Sequence, residues 1–235
     1  MKKMVLVASF MALVSGLVQA DEGKVEFGFF DTVVSQAKKF EDAFRQNDRI
    51  TGVNIDGRSF ALGGEWTVLN SWSSVQDYKS GDKNGSYGVL VLGRINNKKL
   101  EDTLYLSIRL QPPVIGEFKT DISTVCSSKN NPVFVEVSRA EDKYQSCMKI
   151  IMDSYVDKGS DAERVERAVK GYAAAYGLTI QPNGAKMYSV DMYESKNATS
   201  IYVDRYVASD GSDLEELKRF AQDLRHSIRR SFFGE

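Results

Sequence analysis

Histidine is nearly absent from this 235-residue sequence; His226 is the only one. A Ser-His-Asp or Cys-His mechanism needs a histidine base held by an orienting partner, and none is evident near His226. A zinc site needs three or four His, Cys or carboxylate ligands at helical or turn spacing, which one histidine does not supply. His226 falls opposite the apolar stripe of the last helical segment, near a helix C-terminus that favours cations, and reads as a solvated side chain. Phosphate-binding signatures are missing too: there is neither G-x-x-x-x-G-K-[ST] nor G-x-G-x-x-G. Ser35-Gln36-Ala37-Lys38 and Ser80-Gly81-Asp82-Lys83 match S-x-x-K, a pattern common by chance, without the S-D-N and K-T-G elements that would give it meaning. Asp82-Lys83-Asn84-Gly85 opens like a calcium loop, but the twelfth position is Gly93 instead of Glu, so a hairpin turn is expected there. The sequence implies no cofactor and no metal. Carboxylate chemistry leaves no spacing signature, and nothing singles out a pair among the 32 acids.

Long apolar runs are equally scarce. The one such stretch, Met4–Val18, follows Lys2 and Lys3 and covers about 15 residues, short of the roughly 20 that cross a bilayer. Val18-Gln19-Ala20 places small or β-branched residues at the −3 and −1 positions of a signal-peptidase site, and Asp21-Glu22 follows. This is the three-part pattern of a secretory signal, with cleavage expected after Ala20. No cysteine lies near the junction, which argues against a lipid anchor, and no later run suits a transmembrane span. A soluble periplasmic or secreted product is expected.

Loss of Lys2 and Lys3 leaves 29 basic against 32 acidic residues, a net charge of −3. A mildly acidic chain without a basic cluster argues against nucleic acid as a partner. Only four prolines occur among plentiful aromatic and β-branched residues, which argues against disorder. The two cysteines, Cys126 and Cys147, fit export: a lone pair in an oxidising compartment is expected to form a structural disulfide. The bridge would close a loop of about 20 residues, worth on the order of 3 kcal/mol in the chain-entropy model. Metal ligation and redox catalysis are the alternatives, but no C-x-x-C spacing exists.

The periodicity predicts a first helix over Thr32–Arg45, with Phe30, Val33, Val34, Ala37, Phe40 and Phe44 recurring at helical spacing and Asp31 as its N-cap. Asp56-Gly57 joins two short runs into a hairpin. Gly63-Gly64 is expected to break the chain before a strand that presents Trp66, Val68 and Trp72 on one face. Tyr87–Ile95 reads as a central strand, and Thr103–Leu110 alternates with Leu104, Leu106, Ile108 and Leu110 inward. Val133, Val135 and Val137 mark another strand.

Capping boxes at Ser160–Glu163 and Ser212–Glu215 open two later helices. Between them lies a hairpin of Met187–Tyr193 and Ile201–Ala208. Asn197-Ala198-Thr199 in its loop fits a glycosylation sequon, but the signal is of bacterial type and the segment reads as a plain loop. The expected class is α+β: an antiparallel sheet with an N-terminal helix and a C-terminal helix–hairpin–helix unit, carrying one disulfide. The expected division is 1–20 signal peptide, 21–157 helix plus sheet, and 158–235 helix–strand–strand–helix, packed together as one domain.

The run from Ile55 to Leu69, with its turn and Trp66, resembles a recurring pattern in exported bacterial envelope proteins of unknown function. Those carry a strand, a turn and Leu-Pro-x-Gly-x-Trp, then a pair of cysteines, a helix closing near a glycine as at Ala175-Tyr176-Gly177, a late hairpin and an aromatic-Gly ending like Phe232-Phe233-Gly234. Gly63 stands at the proline position. The resemblance implies an envelope location and supplies no activity.

Two functions follow. One is a non-catalytic envelope protein with a binding or assembly role. Its contact surface would lie on the last helix, whose Arg225, Arg229, Arg230, Phe232 and Phe233 suit another envelope protein or a membrane surface. A core-facing amphipathic helix is the plainer reading of the same residues. The other function is a histidine-independent hydrolase using carboxylates or Ser–Lys. A deep pocket with convergent Asp, Glu or Lys groups would favour the hydrolase, whereas an aromatic patch near Tyr188, Tyr202 and Tyr206 would favour binding.

Overall fold

The computed structural model describes residues 21–76, 85–110, 132–140, 144–153, 160–180, 187–196, 199–208 and 213–234. The expected signal peptide, Cys126, Ser80 and Lys83 lie outside them.

The strands are β1 (Asp21–Val25), β2 (Arg49–Ile55), β3 (Arg58–Gln76), β4 (Gly85–Asn96), β5 (Lys99–Arg109), β6 (Phe134–Ala140), β7 (Tyr144–Asp153), β8 (Met187–Lys196) and β9 (Thr199–Ala208). The helices are α1 (Val33–Ala43), α2 (Ser160–Tyr176) and α3 (Leu214–Ser227), the last running into a π-helical turn, Ile228–Phe232. All nine strands form one sheet in the order β1-β2-β3-β4-β5-β9-β8-β7-β6. The β1–β2 pair is parallel and every other pair is antiparallel.

This corrects the expected α+β class. Strands take 55% of the described residues and helices 29%, so the fold is predominantly β and its sheet is mixed. The reason is topological. The late hairpin β8–β9 does not form a helix-backed unit of its own. It inserts between β5 and β7, with Leu106 of β5 opposite Val203 of β9 and Met148 of β7 opposite Met192 of β8. Strands from both sides of residue 157 therefore share one hydrogen-bonded ladder.

Alternation along the strands makes two cores, one on each face. On the first face Leu90, Leu92, Leu104, Leu106, Ile108, Met148, Ile150, Val190, Met192, Ile201 and Val203 form a continuous floor. Phe40 and Phe44 of α1, Leu217, Ala221 and Leu224 of α3, and Ile228 and Phe232 of the π turn cover it. On the second face Leu69, Trp72, Val89, Val91, Leu100 and Tyr105 pack under Val165 and Tyr172 of α2. Tyr105, outward in the sequence reading, is thus buried in this second core.

Several local expectations shift. Thr32, not Asp31, caps α1, accepting from the Ser35 amide at 3.2 Å; Asp31 instead accepts from Ser35 Oγ at 2.6 Å and Lys39 Nζ at 2.6 Å. Asp56 and Gly57, with φ of 55° and 78°, make the predicted tight hairpin turn. Gly63 and Gly64 do not end a strand. With φ of 69° and 131° they form an irregularity inside β3, which continues for 19 residues. The β2–β3 register slips over the same stretch, between Ile50 and Gly52. A second slip between Val68 and Asn70 switches the side-chain phase. Trp66 and Val68 consequently face the first core and Trp72 the second, not one face as expected.

Cys147 is buried on β7, and no described cysteine is a free thiol. Its expected partner Cys126, and so the expected bridge, falls outside the described residues.

Candidate functional site

The helix α3 lies across the first face. Asp213 caps it, accepting from the Glu215 amide at 2.9 Å; Ser212, the expected cap, lies outside the described residues. Glu215 and Glu216 occupy its first turn and Arg225 and His226 its last, a distribution that suits the helix dipole. Each flank of α3 carries a buried carboxylate held by two guanidinium groups.

On one flank the carboxylate is Asp102 of β5. Arg205 of β9 grips it in bidentate fashion, Nε at 3.0 Å and Nη2 at 2.7 Å from Oδ2, and Arg94 Nη1 stands at 3.5 Å. Aromatic rings position both arginines. Arg94 lies 4.2 Å over Trp66 and Arg205 lies 4.1 Å over Phe220. Arg94 Nη2 also donates to the Gly63 carbonyl at 2.8 Å. The β3 irregularity makes that approach possible, because a Cβ on Gly64 would sit 2.9 Å from the same nitrogen.

On the other flank the carboxylate is Glu194 of β8, which is wholly buried. It accepts from Ser146 Oγ at 2.6 Å, with Arg225 Nε at 3.5 Å and Arg229 Nε at 3.7 Å. Arg225 Nη1 also donates to Glu136 of β6 at 2.6 Å. An ionised carboxylate at such depth is tolerable only when paired and hydrogen-bonded, and both clusters meet that condition.

Each flank opens into a cleft of about 210 Å³. The first is lined by Gly63, Arg94, Arg205, Glu216, Arg219, Phe220 and Asp223. The second is lined by Glu136, Gln222, Arg225, His226 and Arg229. Both are smaller than the roughly 300–1,000 Å³ of drug-sized ligand sites.

The residues singled out from the sequence divide accordingly. Arg225 is buried and Arg229 half-buried on Glu194, while Phe232 is buried against Phe60 at 5.8 Å. Phe233 packs at the core margin, and Arg230 is exposed. The five do not form one outward face. His226 is exposed at the second cleft. Ser35 and Lys38 of the first S-x-x-K are engaged with Asp31 and Asp42. Tyr188 packs against the first core, whereas alternation puts Tyr202 and Tyr206 on the second face, so the three make no common patch.

That second face holds a pair the sequence reading did not single out. Lys149 of β7, Asp191 of β8, Asp204 of β9 and Tyr105 of β5 stand opposite one another in consecutive ladders. Lys149 Nζ pairs with Asp191 at 3.1 Å, and Tyr206 Oη donates to Asp204 Oδ2 at 3.3 Å. Asp204 is 9% exposed. Its Oδ1 and the buried Tyr193 hydroxyl have no partner among the described residues. Burial, and after it the Asp191 charge, pushes the Asp204 carboxyl well above the usual carboxylate range. Burial and then the Asp204 charge likewise raise the Tyr202 and Tyr206 phenols. A usable signal was the hairpin itself, because placing its turn near residue 197 brings Asp191 and Asp204 together.

Among the described residues no group of three or more His, Cys, Asp or Glu gathers where it could hold a metal ion. No described helix is long and apolar enough to cross a membrane. The chain matches no protein-family model and no curated protein.

Proposed function

We propose that this is an exported envelope protein with a non-catalytic binding or assembly role, and that the flanks of α3 are its contact surface. The observation that carries the reading is the paired construction on those flanks. Two open clefts have guanidinium walls whose orientation is fixed from beneath by buried carboxylates, so polar groups are pre-positioned at the surface. The signal-like N-terminus supports the location.

Photoreactive residues at Arg219 and Gln222, one per cleft, test this in intact envelopes. The expected result is a discrete adduct from these positions and none from exposed Lys38 on α1. The reading fails if neither flank yields an adduct.

A histidine-independent hydrolase is the second reading, favoured by one observation, the facing Asp191 and Asp204 carboxylates beside Lys149. It requires turnover of an ester or peptidoglycan substrate that Asp204→Asn abolishes.

A further inference from the structure

The first cleft differs from the second in having charges left over at its rim. Glu216, Arg219, Phe220 and Asp223 follow one another at i, i+3, i+4 and i+7, so they form a single stripe of α3 along the opening. Glu216, Arg219 and Asp223 make no ion pair within the described structure. In the second cleft, by contrast, Arg225 is committed to Glu136 and Glu194, and Arg229 to Glu194.

Around the first cleft three cations, Arg94, Arg205 and Arg219, face three anions, Asp102, Glu216 and Asp223. The formal sum is zero, but the signs are segregated. Arg94 and Arg205 form the floor and inner wall with Asp102 beneath them, while Glu216 and Asp223 lie about two helical turns, or ~10 Å, apart on the outer wall with Arg219 between. A ligand of one sign meets repulsion as strong as its attraction there. A ligand bearing both signs a few ångströms apart satisfies both sets.

We propose that this cleft binds an amino-acid-sized zwitterion. Its carboxylate would sit between Arg94 and Arg219, its ammonium against Glu216 or Asp223, and its short side chain on Phe220. The volume agrees: about 210 Å³ is several times the roughly 30 Å³ share of one water and well below what a drug-sized molecule fills. The backbone gives room for a close approach, since a Cβ on Gly63 would already touch the Phe220 ring at 3.4 Å. This assignment rests on the proposed binding role and names the ligand class for one of its two clefts.

The test is amide NMR of the signal-cleaved chain, read at the Gly63 amide and the Trp66 indole, with L-alanine and D-alanine as probes. Acetate and methylammonium supply each charge alone. Saturable shifts are expected for at least one alanine enantiomer with a dissociation constant of roughly millimolar order. Each single-charge probe should bind severalfold more weakly, and Arg219→Gln should weaken alanine by up to about fivefold, one exposed ionic contact's worth. The assignment is overturned if neither alanine saturates, if acetate or methylammonium binds as well, or if Arg219→Gln has no effect. A crosslinked partner at Gln222 together with any of those results would sink the ligand class and leave the binding role standing.

Discussion

Replacing Asp204 by Asn should shift the balance of stability toward the variant as pH rises from 4 to 7. Asp204 and Asp191 are direct cross-strand partners, which places their Cα atoms about 4.5–5.5 Å apart. Lys149 supplies one ammonium for the two carboxylates. Burial, and after it the Asp191 charge, favours the protonated form of Asp204.

In the unfolded chain Asp204 ionises near pH 3.9, while in the folded protein its ionisation is displaced upward. Above pH 4 the folded state therefore binds more protons at this site than the unfolded state, and stability falls as pH rises, at up to about 1.4 kcal/mol per unit. Asn has nearly the same shape, needs no proton and can donate to Asp191. Imperfect amide hydrogen bonding takes back roughly 1–3 kcal/mol. The expectation is a stability difference that moves steadily in favour of the variant as pH rises from 4.

Urea unfolding of both proteins at pH 4, 5, 6 and 7, followed by tryptophan fluorescence, gives the difference directly. The other ionisable groups are common to both chains and largely cancel. A difference that is flat, or that moves against the variant as pH rises, would refute the raised ionisation of Asp204.

Removing the anchor of the other face should do the reverse: Glu194→Ala leaves Arg225 and Arg229 facing a buried void, with an expected loss of about 3–5 kcal/mol in urea unfolding at neutral pH. Phe232→Ala should cost about 3–5 kcal/mol and Arg230→Ala less than about 0.5 kcal/mol in the same assay, because one fills the first core and the other stands in solvent. Gly88→Ala should lower the melting temperature by several degrees, since its Cβ would stand 2.4 Å from the Phe40 ring; Phe40→Leu in the same chain should recover part of the loss.

Much of the element order was legible because local patterns determine it. Asp56-Gly57, the inward Leu104, Leu106, Ile108 and Leu110, the buried Ala37, Phe40 and Phe44, and the solvated His226 stand where side-chain chemistry alone places them, whereas Phe30 and Val34 of the expected stripe are exposed and Arg109, expected outward, is buried. What was not legible depends on partners distant in sequence. The phase switch at Val68/Asn70 is a property of the β3–β4 ladder, so the three residues Trp66, Val68 and Trp72 looked like one face. The C-terminal arginines looked like a surface feature because the carboxylate that buries them, Glu194, lies on β8, and Glu136 lies on β6. Asp191 and Asp204 were hidden for the same reason: nothing marks either residue until the hairpin register sets them opposite each other.

The insertion of β8–β9 decides whether the segment 21–157 can stand alone, and this is open to a direct test. Without residues 158–235 the sheet is cut at its centre and the second core loses Val165 and Tyr172 of α2. β5 loses seven ladder partners, from Asp102 to Ile108, and β7 loses ten, from Tyr144 to Asp153. The first core loses Val190, Met192, Ile201, Val203 and all of α3 and the π turn, leaving Leu104, Leu106, Met148 and Ile150 facing water. Two long unpaired edges result, with the apolar side chains of their first face uncovered by α3. A chain of residues 21–157 is therefore expected to aggregate or to bind a hydrophobic dye with no cooperative melt, whereas residues 21–235 melt in one transition. If the shorter chain is monomeric and unfolds cooperatively, the four strands β2–β5 with α1 form a self-sufficient unit. The nine-stranded sheet would then be a docked pair of domains rather than one fold.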